Sequence, residues 1–238
     1  MNHFIHYIAP QWVATAFLLT IPLPFVMIGM YVRKIAKELH NKWLFATVIA
    51  FFVGYVAYIS YGAMNGWYEA TSFPPRVLLC TTFPYAFLLF FFVVNTKIYK
   101  TIVEKTAVET LVRLHLFRVI GVFFVLLGMY HALPKPFAYI AGVGDILTAI
   151  SSVYVARAIV QKKSYARRLT YVWNIFGTID ILFTAIAANV LTKILIDTGA
   201  MGVDVLAIFP YCIIPAFAPP TILFLHWSIF RKLKEFSV

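Results

Sequence analysis

Charge is the scarcest property of this sequence. Asp, Glu, Lys and Arg make up only 12% of its 238 residues, and the acids are scarcest, 9 against 20 Lys and Arg. A soluble domain carries roughly twice that share of charge, about 25%. A chain that is 62% hydrophobic with mean hydropathy +0.86 cannot cover itself with a water-facing surface, so the solvent it predicts is a bilayer. No polar stretch approaches about 50 residues, which leaves no room for an appended soluble domain. Two cysteines, Cys80 and Cys212, are too few for a disulfide framework. Both fall near predicted helix ends in apolar surroundings, which predicts buried free thiols rather than a pair. The first hydrophobic run lacks a basic start and a small-residue cleavage site, so it reads as a retained helix, not a signal peptide. There is no HExxH or HxxxH motif, and a zinc hydrolase needs a denser set of His and Asp.

What is present is a series of long apolar segments. A spanning helix needs about 20 mostly apolar residues. Seven segments qualify, at 8–32, 43–66, 76–95, 111–131, 136–158, 169–192 and 205–230. The predicted fold class is all-α: a polytopic membrane protein, with residues 1–238 forming one seven-helix transmembrane domain. Leu133-Pro134-Lys135-Pro136 makes a tight turn, so the fourth and fifth helices should be antiparallel neighbours. The stretch "TKIYKTIVEKTAVET" at 96–110 is amphipathic and is expected to extend a helix into the aqueous phase. The aromatic residues, 23 Phe, 14 Tyr and 5 Trp, suit lipid-facing and interfacial positions.

Orientation follows from Lys and Arg in short loops. Arg33, Lys34, Lys37 and Lys42 follow the first segment, and Lys97, Lys100, Lys105 and Arg113 follow the third. Arg157, Lys162, Lys163, Arg167 and Arg168 follow the fifth, and Arg231, Lys232 and Lys234 close the chain. Only Arg76, Lys135 and Lys193 fall on the other side. This predicts an external N-terminus and a cytoplasmic C-terminus in a bacterial inner membrane. The net charge of +11 then reads as a topology signal and an attraction to anionic lipid on the cytoplasmic side, not as nucleic-acid binding.

Three charges fall inside the segments: Arg118, Asp145 and Asp180. Counted from the segment ends at 1.5 Å per residue, all three lie within about 10 Å of the midplane. A central charge costs at least about 2.5–3.5 kcal/mol, so Arg118 is expected to pair with Asp145, Asp180 or both. Their neighbours are small or polar: His115, Gly121 and Gly128 beside Arg118; Ala138, Ala141, Thr148 and Ser152 beside Asp145; Trp173, Asn174, Gly177 and Thr184 beside Asp180. Such stripes permit close helix approach. They predict that the fourth, fifth and sixth helices converge on a central charged site, with Asn174 orienting it.

The last segment, "FPYCIIPAFAPPTILFLHWSIF", contains Pro210, Pro215, Pro219 and Pro220. Proline inside a helix removes a donor and frees a carbonyl, so Pro215, Pro219 and Pro220 are candidates for a gate. His226 and His115 lie at matching depth and are expected to line a cytoplasmic vestibule leading to Arg118. The same pair is a candidate for bis-histidine haem ligation. His3 and His6, with a free N-terminus, are a candidate Cu(II) chelate. Otherwise no cofactor is expected.

The helix count and the stretch "RVLLCTTFP" superficially resemble microbial rhodopsins, but the last segment has no lysine for a retinal Schiff base. The set "RVIG", "FAYIAGVGD", "WNIFGTID" and "PYCIIPAFAPP" followed by His226 resembles a family of uncharacterised bacterial seven-helix membrane proteins over residues 111–230. That resemblance implies a fold and no activity. The expected function is transport of a small solute or protons through Arg118, Asp145 and Asp180. The alternatives are a sensor, receptor or complex subunit in which the same charges only staple helices, and an intramembrane haem or metal enzyme.

Overall fold

The computed structural model describes residues 9–69 and 72–235. His3 and His6 lie outside the described residues. Among the described residues, seven helices are long and apolar enough to cross a membrane. They are helix 1 (Gln11–Glu38), helix 2 (Lys42–Met64), helix 3 (Leu78–Asn95), helix 4 (Val108–Met129), helix 5 (Lys135–Val160), helix 6 (Ala166–Thr198) and helix 7 (Ile213–Glu235). A short amphipathic helix, Lys97–Lys105, connects helices 3 and 4. Among the described residues there is no strand.

Local chemistry sets the boundaries. Asn41 caps helix 2 by accepting from the backbone N–H groups of Trp43 and Leu44, as N-cap side chains do. Gly199, in the left-handed conformation at φ 70°, ends helix 6. Several expected boundaries move. Helix 7 begins at Ile213 instead of 205, because Pro210 has no N–H to continue a helix and residues 204–207 form only a single 3₁₀ turn. Helix 6 runs on to Thr198, with a Lys193–Asp197 ion pair one turn apart on its exposed end. The 96–110 stretch does not extend a neighbouring helix. Thr96 caps a separate helix, and that helix ends before helix 4 starts at Val108.

Helices 3 and 4 depart from regular α-winding in opposite directions. Helix 3 contains two wide π turns, Leu78–Thr82 and Leu88–Phe92. Helix 4 tightens into a seven-residue 3₁₀ stretch, His115–Gly121, longer than the usual three or four residues. At three residues per turn, positions i and i+3 eclipse. His115, Arg118 and Gly121 therefore line up on one edge, and all three are buried.

Helix 5 packs between helices 4 and 6, and helix 7 packs on helices 4 and 6 and against the start of helix 3. Helices 1 and 2 pair with each other at the periphery. One apolar cluster gathers Val112, Ala156, Ile229 and Leu233 near the end of the bundle that carries most of the basic residues. A second gathers Val13, Phe17, Leu127 and Leu133 near the far end. Along helices 4 and 5 the charged residues fall between these two clusters.

The candidate functional site: a buried guanidinium between two carboxylates

Arg118 is the largest fully buried side chain among the described residues. Its Nε donates to Asp145 Oδ1 at 2.7 Å and its Nη2 to Asp180 Oδ2 at 2.5 Å. Its Nη1 donates to the Gly177 carbonyl and to His226 Nε2, both at 3.3 Å. One guanidinium thus ties helix 4 to helices 5, 6 and 7. Short, charge-assisted bonds of this kind are roughly twice as strong as neutral ones, and they offset the high cost of desolvating three charges.

Two glycines make the approach possible. A Cβ placed on Gly144 of helix 5 would overlap the Asp180 carboxylate. A Cβ on Gly177 of helix 6 would sit 2.6 Å from His226 Cε1 and 3.0 Å from Thr148 Cγ2. The small residues beside the charges are therefore the space the carboxylates and the imidazole occupy.

Behind the guanidinium lies a second, uncharged layer. Arginine can only donate, so His226 Nε2 accepts and its proton sits on Nδ1, which donates to Asn174 Oδ1 at 2.7 Å. Asn174 Nδ2 returns a bond to the His226 carbonyl at 3.1 Å. Asn174 thus orients His226 rather than a carboxylate. The His115 ring stacks on His226 with centroids 4.2 Å apart, and Trp173 closes the edge of His115 at 5.1 Å. Both imidazoles are buried, at 0% and 1% exposure. Where a vestibule is expected, the two rings and Trp173 pack on one another. His115 keeps both ring nitrogens without a partner.

The prolines of helix 7 free carbonyls as expected, but each one finds a donor. Pro219 cannot bond the Pro215 carbonyl, and Thr82 of helix 3 donates to it at 2.7 Å. Pro220 cannot bond the Ala216 carbonyl, and the Tyr55 hydroxyl of helix 2 lies 3.0 Å from it and 3.0 Å from the Thr81 carbonyl, its one proton shared between the two. Pro84 in helix 3 frees the Cys80 carbonyl, which Tyr58 reaches at 3.1 Å. The sequence reading missed Thr82, Tyr55 and Tyr58. Only the rule that a proline frees the carbonyl four residues earlier pointed towards them. Both cysteines are free, but Cys80 is exposed and only Cys212 is buried, because Cys80 faces outward on the first π turn of helix 3. Among the described residues no three His, Cys, Asp or Glu cluster as a metal site.

Two cavities reach the cluster. A small one, about 50 Å³, touches Arg118 and Asp145 from between helices 1, 4 and 7. A larger one, about 140 Å³, runs from the far-end loops down to Asp145. Asp145 borders both.

Fold and site together define an all-helical bundle of seven long apolar helices, four of which close on one buried arginine. Residues 74–234 match the family described as Domain of unknown function (DUF8737), and the chain belongs to that family. No curated protein and no solved structure matches it.

Proposed function

We propose that the chain is an integral membrane protein of the bacterial inner membrane, N-terminus outside and C-terminus cytoplasmic, that carries a small solute or protons through the Arg118–Asp145–Asp180 cluster. The observation that carries this reading is the cavity from the far-end loops that reaches Asp145. A carboxylate that only stapled helices would have no need of a passage to it. One guanidinium between two carboxylates also leaves room for one exchangeable proton, since like charges this close favour a shared proton. Release of Arg118 from one carboxylate is the switch, and the proline-broken start of helix 7 is the moving gate. Opposing basic loops support the orientation. Cysteine labelling of Lys135→Cys from outside and of Lys163→Cys from inside only is the expected pattern.

The second reading, a structural staple in a sensor or complex subunit, draws on the full pairing of Arg118. Asp180→Asn separates the two. A staple predicts a lower thermal midpoint, independent of pH between about pH 5 and 8, because Arg118 loses one of its two buried partners. The midpoint is recovered when Arg118→Gln and Asp145→Asn are added together, which leaves no buried charge. The transport reading predicts a near-normal midpoint, since Asn imitates a protonated Asp, with loss of proton-linked flux in proteoliposomes.

A further inference from the structure

The cavity above Asp145 has a chemistry of its own. Its walls are aromatic and aliphatic, including Tyr68, Phe83, Phe124 and Phe137, with Asn189 on one side. Its described lining residues include two acids, Asp145 and Asp204, and no lysine or arginine. Tyr68 lines its far end, and the Tyr68 hydroxyl, packed against Gly62, is buried with no hydrogen-bond partner. Burial pushes that hydroxyl well above the ordinary phenol range, so it stays a protonated donor and acceptor. A volume of about 140 Å³ is close to the roughly 150 Å³ that holds one benzene.

From this we propose that the cavity binds a small organic monocation, a protonated amine on one aromatic ring or a short alkyl body, with its ammonium on Asp145. This rests on the transport reading and names its substrate class. The cluster of Arg118, Asp145 and Asp180 carries one negative charge when both acids are ionised. An ammonium at Asp145 neutralises it, and so does a proton. The two therefore compete, and the cation enters as a proton leaves either carboxylate. Aromatic walls favour this occupant, because a cation over an aromatic face gains about 0.5–2 kcal/mol when desolvated. The charged and titratable groups facing Asp145 are Arg118 from helix 4 and Asp180 from helix 6. His226 of helix 7 and His115 of helix 4 stand behind the guanidinium, and Asp204 lines the far part of the cavity.

The test uses the purified full chain in detergent with benzylamine, which stays protonated between pH 6 and 8, and with benzyl alcohol as its neutral counterpart. Benzylamine should raise the thermal midpoint by about 3–5 °C at pH 8 and by less at pH 6, where protons compete. Benzyl alcohol should not. Asp145→Asn should abolish the shift, and so should Ala188→Phe, which fills the cavity wall without touching the ion pairs. Equal shifts with the two compounds, no shift with either, or a benzylamine shift that survives Ala188→Phe overturns the proposal. Proteoliposome flux separates the two levels. Proton flux without a benzylamine shift leaves transport standing and removes this substrate class. A shift with no flux of any kind leaves the binding site and removes transport.

Discussion

Helix 2 and helix 4 are close in length and hydropathy, 23 residues at 1.9 and 22 residues at 2.0, yet 11% of the first and 61% of the second is buried inside the bundle over their most apolar stretch. Apolarity did not decide which one became core. Helix 4 offers a narrow edge of His115, Arg118 and Gly121 that needs partners and leaves room for them. Helix 2 turns Trp43, Val53, Tyr61 and Met64 outward and buries only Phe52, Ile59 and Gly62, with the Tyr55 hydroxyl reaching across to helices 3 and 7. Between these two equally apolar helices, burial follows small residues and polar needs rather than hydrophobicity.

The largest expected effect breaks the core side of this comparison. Arg118→Met leaves two buried carboxylates facing each other without a counter-charge. It should cost about 3–5 kcal/mol or more, seen as loss of a monodisperse peak in size-exclusion chromatography. Adding Asp145→Asn and Asp180→Asn should restore the peak. A wild-type thermal midpoint in Arg118→Met alone contradicts the idea that helices 4 to 7 are organised by charge. Next comes Gly144→Ala, whose methyl group has to displace the Asp180 carboxylate. Overpacking of this kind costs about 1–3 kcal/mol, measured as a lower midpoint. It should weaken helix 5–6 packing while leaving helices 1 and 2 untouched.

Smaller effects test the periphery. Tyr55→Phe leaves the Ala216 carbonyl without its hydroxyl donor, a loss of about 1–3 kcal/mol for an unsatisfied buried group, readable by thermal denaturation. If Tyr55→Phe costs nothing, helix 2 is mere covering and the contrast with helix 4 sharpens further. The smallest change is Gly54→Ala on helix 2, where no atom lies within 4 Å of the added carbon. Its expected result is an unchanged midpoint, or a gain of up to about 1 kcal/mol from helix propensity.

The seven helices were readable from run length alone, and the meeting of Arg118 with both aspartates was readable from depth. Depth works because rise per residue is nearly constant, so three charges on three segments can be compared along one axis. Rotation about that axis is not readable in the same way. The 3₁₀ winding of 115–121 draws His115, Arg118 and Gly121, which share a side at α-helical spacing, into a single edge, and nothing in "HLFRVIG" announces it. The histidines were placed at the correct depth, but their stacking depends on Gly177 making room, which is a contact between helices. Tyr55 and Tyr58 stand out in no way among the 14 tyrosines of the sequence. Their role appears only beside the carbonyls freed by Pro220 and Pro84.

Those freed carbonyls also bear on the order in which the chain is made. Ribosomes release helices 2 and 3 well before helix 7, so the hydroxyls of Tyr55 and Thr82 already exist when Pro215 and Ala216 emerge with their unbonded carbonyls. The final segment arrives incomplete and finds its missing donors on earlier chain, so synthesis from the N-terminus delivers donor before acceptor at the one helix least able to stand alone.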